Sequence, residues 1–294
     1  MVLGGTGIWS GELRLMADRS ATSDAAAELD ELGFDAIWVP GGVGSPKPLF
    51  DTAAELLKAT SKAIIATGIL SIWAQDAAAT AVDFQRLLGA NPDRFLLGIG
   101  ISHVKFVDDD AKKQMAKPLT AMTNYFDALD KACDLDLSGN RILAALGPRM
   151  LELARDRSAG SHPYFVTPTH TRFAREILGP TAMLAPEQAV VFEEDPQRAR
   201  ELARGHMEIY LGLPNYTNNL LRFGFTEEDL ENGGSDRLVD AVVCWGGEDE
   251  IVARVAEHRE AGANHVTLQV ISGREGELPL PEWRRLADAL ISPG

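Results

Sequence analysis

Short runs of apolar, often β-branched residues recur along the chain and alternate with longer stretches whose apolar positions return every three or four residues. Runs of the first kind suit buried strands and the second kind suit amphipathic helices, so the alternation predicts parallel strands joined by helical crossovers. Residues 1–9 form the first expected strand. Ser20 to Leu32 reads as a helix: Ser23 can cap it, Asp24 suits its positive N-terminal end, Ala25, Leu29 and Leu32 share a face, and Gly33 can close it. Further strands are expected at 34–39, 62–69, 94–99, 141–146, 162–166, 188–192 and 264–271. Helices are expected at 76–89, 118–134, 148–157 and 248–261, and after each of the strands 162–166 and 188–192. Eight β/α units in 294 residues favour an α/β fold of the (β/α)8 TIM barrel type over an open doubly wound sheet. No linker, repeat or low-complexity tract divides them, so residues 1–294 read as a single domain.

Two connections are far longer than the usual βα loop of about 2–6 residues. Ser102 to Pro118 follows the fourth strand and Leu211 to Gly234 follows the seventh. Segments after barrel strands build the active site, so both are candidates for a lid or substrate wall; extra packing helices explain the second equally well.

Charge narrows the partners. Lys and Arg number 28 against 43 Asp and Glu, a net charge of −15, which disfavours the broad cationic footprint that nucleic acid requires. No run is long and apolar enough to span a membrane, and Met1-Val2-Leu3-Gly4-Gly5 lacks the parts of a signal peptide, so a cytoplasmic location without membrane or nucleic-acid partners is expected. Cys133 and Cys244 are too few and too far apart for a disulfide framework or a zinc cluster and are expected in the core. Asp108-Asp109-Asp110 and Glu193-Glu194-Asp195 read as solvated acids or helix-N-terminal acids, and no metal site is expected.

Gly5-Thr6-Gly7 and Gly98-Ile99-Gly100 both stop short of the third glycine of a dinucleotide fingerprint, and GxxxxGK[ST], HExxH and GxSxG are absent. Ala144-Ala145-Leu146-Gly147-Pro148-Arg149-Met150 is the better anion candidate. Gly147 permits close approach, Pro148 suits a first helical turn, the free N–H groups and dipole favour an anion, and Arg149 adds charge; a plain strand-to-helix turn fits the same residues.

The third strand ends in Ala66-Thr67-Gly68-Ile69-Leu70-Ser71-Ile72-Trp73-Ala74-Gln75-Asp76, which resembles the corresponding strand of the bacterial luciferase-like superfamily, particularly its coenzyme F420-dependent branch. Asn91-Pro92-Asp93-Arg94-Phe95-Leu96-Leu97-Gly98-Ile99-Gly100 resembles that family's fourth strand. Glu31-Leu32-Gly33-Phe34-Asp35-Ala36-Ile37-Trp38-Val39 resembles its second unit, and Glu260-Ala261-Gly262-Ala263-Asn264-His265-Val266 its last. The resemblance implies a luciferase-like (β/α)8 barrel with a deazaflavin or flavin at the C-terminal ends of the strands. It implies a cis-peptide bulge at Gly68-Ile69 behind the ring, with Leu70 and Ser71 beside it, Gly100 and Ser102 on the next strand, and the cofactor phosphate at Ala145, Leu146, Gly147, Pro148 and Arg149.

Family members that oxidise alcohols or sugar phosphates tend to place a histidine after the second strand and a glutamate after the fourth. Here Val39-Pro40-Gly41-Gly42-Val43 and Gly98-Ile99-Gly100-Ile101-Ser102 stand there, which shifts the expectation towards reduction of an unsaturated or carbonyl substrate. The expected activity is hydride transfer between the C5 of F420 and a small organic substrate. An FMN-dependent monooxygenase and a non-catalytic flavin-binding protein are the alternatives. His103, after the fourth strand, is the candidate catalytic proton donor, and Trp9, Trp73, His162 and Tyr164 are candidates for the substrate pocket, with Phe165 beside them. His170, His206, His258 and His265 read as structural or solvated. Lys105, Lys112, Lys113 and Lys117 form a basic cluster suited to an anionic cofactor tail or to offsetting Asp108 to Asp110. Ala77, Ala78, Ala79 and Ala81 would allow close helix packing in a homodimer or within the chain.

Overall fold

The computed structural model describes residues 3–41, 48–102, 117–133 and 136–291. Their strands are β1 (Thr6–Trp9), β2 (Ala36–Val39), β3 (Ile64–Thr67), β4 (Leu70–Ser71), β5 (Phe95–Gly100), β6 (Arg141–Leu143), β7 (Gly160–Ser161), β8 (Met183–Leu184), β9 (Glu187–Val191), β10 (Val243–Trp245) and β11 (Val266–Val270). Hydrogen-bonded neighbours run β10-β9-β11-β1-β2-β3-β5-β6-β7-β8, with β4 continuing β3 alongside β5, and the printed pairings are parallel.

Only Ala185-Pro186 separates β8, at one end of that order, from β9 near the other, so the sheet curls round on itself. Asn264 fastens the seam: its N–H donates to Leu184 O at 2.9 Å, and its side-chain carbonyl accepts from Leu184 N–H at 2.8 Å and from Arg175 at 2.6 Å. This is the TIM-barrel-like architecture expected from the alternation of elements. β3 and β4 are one barrel strand interrupted at Gly68-Ile69, and β8 and β9 are one interrupted at Ala185-Pro186. β10 is an addition that the sequence reading did not include.

The helices cover the outer face, and their apolar stripes meet the strands in one large cluster that includes Ile37, Ile65, Phe84, Phe95, Leu97, Phe126 and Leu268, all fully buried. Helix Arg19–Glu31 begins one turn before Ser23: Asp18 is its cap, accepting from Ala21 N–H at 3.0 Å, and Ser23 lies inside the helix. Gly33, at φ +90°, ends this segment as expected. Asp76 likewise caps Ala77–Ala90. On that helix Ala77 and Ala81 are buried and Ala78 is exposed, so packing within the chain accounts for two of the small residues.

Two expected strands are shorter than their apolar runs. Residues 144–146 leave the sheet after Leu143, and 162–166 is not a strand: β7 ends at Ser161, and Phe165 takes a left-handed φ of +58°. The segment after β9 folds as helices Pro196–Leu211, Pro214–Arg222, Glu227–Leu230 and Asp236–Val242 before β10. Arg200 ties it together, reaching Asp236 at 2.9 Å and Asp240 at 2.6 Å. Cys244 is buried in this part of the sheet, where desolvation pushes its thiol up to about 11; Cys133 is half-buried, and both are free thiols. No group of metal-ligating side chains occurs among the described residues, and none of their helices is long and apolar enough to cross a membrane. Asp195 is the cap of Pro196–Leu211, as a helix-N-terminal acid should be.

Candidate cofactor site

The C-terminal ends of β3, β5 and β6 converge on one cavity. Its lining is Ile69, Gly100, Ile101 and Ser102 on one side, Ala144, Ala145 and Leu146 on the other, and Tyr164, Asn215 and Tyr216 across the top. The floor is the interruption between β3 and β4, where the Gly68–Ile69 peptide is cis. Backbone bonds hold it from both sides: Gly68 N–H donates to Val39 O at 2.8 Å, Gly41 N–H to Ile69 O at 3.1 Å, and Ile72 N–H to Gly100 O at 3.1 Å.

Glycines on β5 make room for it. A Cβ at Gly98 would stand 1.8 Å from Thr67 O, so the β3 backbone bars a side chain there, and one at Gly100 would stand 2.5 Å from Ile69 Cδ1, so the Ile69 side chain would have to give way. Trp9 supports the bulge through an Nε1–H bond to Gly68 O at 3.2 Å. Below, Trp38 stacks on His162 with ring centres 4.1 Å apart and donates to His265 Nε2 at 3.2 Å. Burial pushes both histidines down to about 4, so they are neutral. A neutral His162 facing Ala185 O at 2.7 Å carries its proton on Nδ1, which leaves Nε2 as a buried acceptor with no partner among the described residues. That Nε2 stands 3.3 Å from where a Gly68 Cβ would be.

At the far wall, Gly147 begins helix Pro148–Arg157 without a side-chain cap, Pro148 occupies its first position, and Arg149 is exposed. His170 pins the preceding turn by donating from Nε2 to Leu146 O at 3.0 Å. The Tyr164 hydroxyl donates to Gln269 Oε1 at 2.7 Å and meets the Tyr210 hydroxyl at 2.7 Å. Burial raises the Tyr164 phenol well above its ordinary value and pushes Tyr210 up to about 12. Both therefore stay protonated at neutral pH.

Sequence-derived candidates thus gather unevenly. Ile69, Gly100, Ser102, Ala145, Leu146 and Tyr164 share the cavity, and Gly68, Gly147, Pro148 and Arg149 adjoin it along the chain. Leu70 instead packs into the outer core, and Ser71 Oγ turns back to accept from Trp73 N–H at 3.3 Å. Trp73 braces β5 through Ile101 O at 2.7 Å, while Trp9 and His162 lie beneath the bulge. His103, Lys105, Lys112 and Lys113 lie outside the described residues. His170, His206, His258 and His265 are each held neutral by burial, at about 4, 4, 3 and 4, as structural histidines. Asn215 and Tyr216 belong to the Leu211–Gly234 segment expected as a lid or substrate wall, although neither residue was singled out; helix Pro214–Arg222 carries both to the cavity.

A wider, open groove of about 900 Å³ lies at the end of β10. It is lined by Glu194, Asp240, Glu248, Asp249, Glu250 and Glu257 against Arg254, a balance that repels a phosphate-bearing cofactor. The cavity above the bulge encloses about 80 Å³, less than a tricyclic ring needs, and Asn215 and Tyr216 form its roof. Its floor suits the flat face of a flavin or deazaflavin, because Gly68 and Gly100 present backbone where side chains would intrude. A bound ring requires the helix carrying the roof to sit further out.

Residues 9–142 match the family model for luciferase-like monooxygenases. The fold is luciferase-like. Over 98% of its length it superposes on 98% of an F420-dependent secondary alcohol dehydrogenase in complex with an F420–acetone adduct, with a TM-score of 0.70 and 14% identity. The coenzyme F420-dependent tetrahydromethanopterin reductase from Methanopyrus kandleri gives 0.67 and 16%, with 98% of each chain covered. The FMN-bound oxygenating constituent of 3,6-diketocamphane monooxygenase from Pseudomonas putida gives 0.65 and 16%, covering 98% of this chain and 96% of that one. No curated protein sequence matches the chain. These likenesses are of fold.

Proposed function

We propose that the protein is a coenzyme F420-dependent oxidoreductase acting on a small organic substrate. The observation that carries the reading is the convergence of the Gly68-Ile69 bulge, the end of β5 and the Gly147 turn on one cavity. When bound, the deazaflavin supplies a hydride from its C5. The chain's own work is to hold the ring flat against the bulge, to place its phosphate at the Gly147 helix terminus, and to keep water out beneath Tyr164 and Tyr216. F420-dependent proteins among the structural neighbours support this choice.

An FMN-dependent monooxygenase is the second reading, favoured by the family description and by the FMN-bound neighbour. His103 is the proposed proton donor, and a homodimer in the cytoplasm is the proposed setting. Titration of the purified protein with F420, FMN and FAD, read by fluorescence quenching, is the test. Tighter binding of F420 is the expected result, and equal or tighter binding of FMN overturns it. With a substrate in hand, His103→Gln should retain F420 affinity while turnover falls by about 10²–10⁴-fold.

A further inference from the structure

None of the described residues lining the cavity is charged, yet a carboxyl lies just behind its Tyr164 wall. Glu187 is buried at the start of β9. Its backbone N–H donates to Pro163 O at 2.9 Å, and its side-chain Oε2 accepts from Phe165 N–H at 3.2 Å. Those two bonds clamp the chain on either side of Tyr164. They hold Phe165 at its left-handed φ of +58°, which a phenylalanine seldom adopts, and direct the Tyr164 hydroxyl to Gln269 and Tyr210. Oε1 of the same carboxyl has no partner among the described residues.

The roof rests on this clamp. Tyr216 packs edge-on against the Phe165 ring with centres 5.4 Å apart, stands perpendicular to Tyr210 at 5.5 Å, and is 6.3 Å from Tyr164. The titratable groups around the carboxyl are uncharged. Tyr164, Tyr210 and Tyr216 are protonated phenols on the segment after β7 and on two insertion helices; His162, His206 and His265, on that segment, on Pro196–Leu211 and before β11, are neutral. Opposite Glu187, β11 offers Thr267, and β10 offers Cys244, a thiol pushed up to about 11. No cation offsets a charge on Glu187; burial raises it to about 8 and the Phe165 N–H alone opposes. The proton stays for as long as these surroundings stay closed. They cannot stay closed over a ring, because the cavity of about 80 Å³ is too small and its roof must move outward. The roof helix also buries Asn219 Oδ1 without a partner among the described residues, so its inner face is not fully satisfied in the closed position.

We infer that Glu187 is a positioning residue that couples the roof to a proton: neutral, it fixes the Phe165 turn on which Tyr216 rests, and entry of the cofactor ring, which lifts Tyr216, opens the carboxyl to water and releases its proton to solvent. This rests on the cofactor reading above and deepens it by giving that site a regulation. Opening returns the carboxyl towards its ordinary 4.5, so the open, liganded protein binds fewer protons than the closed one. Ligand affinity therefore rises with pH up to about 8 and flattens beyond it.

The test compares the whole parent chain with Glu187→Gln, which keeps an acceptor for Phe165 and cannot ionise. Both are titrated with F420 and with FMN at pH 6, 7 and 8, following ligand fluorescence, and the ligands' own titrations cancel between the two proteins. Urea midpoints at each pH check that both are folded. Between pH 6 and pH 8 the parent's affinity should gain at least about tenfold more than the variant's. Calorimetry at pH 7 in phosphate and in Tris should show the parent releasing about one proton more on binding than the variant does. Parallel pH profiles, equal proton counts, or a parent whose affinity falls relative to the variant as pH rises each overturn the inference and leave the cofactor reading intact. A parent that binds neither F420 nor FMN ends both.

Discussion

At neutral pH the Glu187→Gln protein is expected to be more stable than its parent, for a reason that lies in where the carboxyl sits. Glu187 opens β9 and is 2% exposed. Its Oε2 accepts from Phe165 N–H at 3.2 Å, and its Oε1 has no partner among the described residues. Its charged form would also face the phenols of Tyr164, Tyr210 and Tyr216, and desolvation pushes the group up to about 8. The folded carboxyl therefore keeps its proton at pH 7, whereas the unfolded one loses it above an ordinary value of 4.5.

A folded pKa above the unfolded one means stability that is complete below 4.5 and drains away as pH rises towards 8. At 1.36 kcal/mol per pH unit, the loss accumulated by pH 7 is about 3 kcal/mol. Glutamine keeps an acceptor for Phe165 and cannot ionise in the unfolded chain, so it escapes the loss. For a chain of this length, about 3 kcal/mol corresponds to a rise of roughly 5 °C in Tm. Urea unfolding of both proteins at pH 5 and pH 7.5 measures it directly. The stability difference should be small at pH 5 and should favour the variant by about 4 kcal/mol at pH 7.5. A difference independent of pH, or a variant less stable than the parent at pH 7.5, refutes the reasoning.

The buried histidines act with the opposite sign. His162, His170, His206, His258 and His265 have folded values pushed well below the ordinary 6.5, so the stability they permit is present above pH 6.5 and is lost as pH falls towards 4, which a series of urea midpoints across that window would show. Gly147→Val should fold normally, since its φ of −89° and open surroundings accept a branched side chain, yet bind the phosphorylated cofactor at least about tenfold more weakly in a fluorescence titration. Gly98→Ala places a Cβ against the backbone at Thr67 O and should cost roughly 3 kcal/mol or more, read as a lowered urea midpoint or loss of soluble protein.

What the sequence disclosed follows the range of the forces involved. Strands β2, β5 and β11 and helix Pro148–Arg157 were legible because their apolar spacing is local. The cap was misplaced because Ser23 and Asp18 are both good capping residues, and the choice depends on where Arg19 packs, between Glu55 and the carbonyls of Leu13 and Arg14. β10 was hidden because Val242-Val243-Cys244-Trp245 runs on from the helix Asp236–Val242 with no polar break. Phe165 bends the chain out of the 162–166 run because Glu187, on another strand, captures its N–H. At the site, the bulge and the Gly147 turn were readable from contiguous motifs. The individual contributions of Asn215 and Tyr216 and the stacking of Trp38 on His162 were not, since each joins residues distant in sequence whose meeting is set by closure of the barrel.

The glycines beneath Ile69 separate two kinds of inheritance in this molecule. Gly98 lies against the backbone of β3, so any side chain there disturbs the barrel under the site, and that part of the floor is not free to vary. The roof is made from a helix outside the sheet, whose Tyr216 and Leu220 share an apolar cluster with Ala203 and Met207 of Pro196–Leu211. Replacing residues on the cavity face of Pro214–Arg222 would change what the ring meets without touching a strand pairing. Ligand preference can therefore be rewritten in the insertion while the barrel that presents it stays the same, and a library confined to that helix is the economical place to look for new substrates.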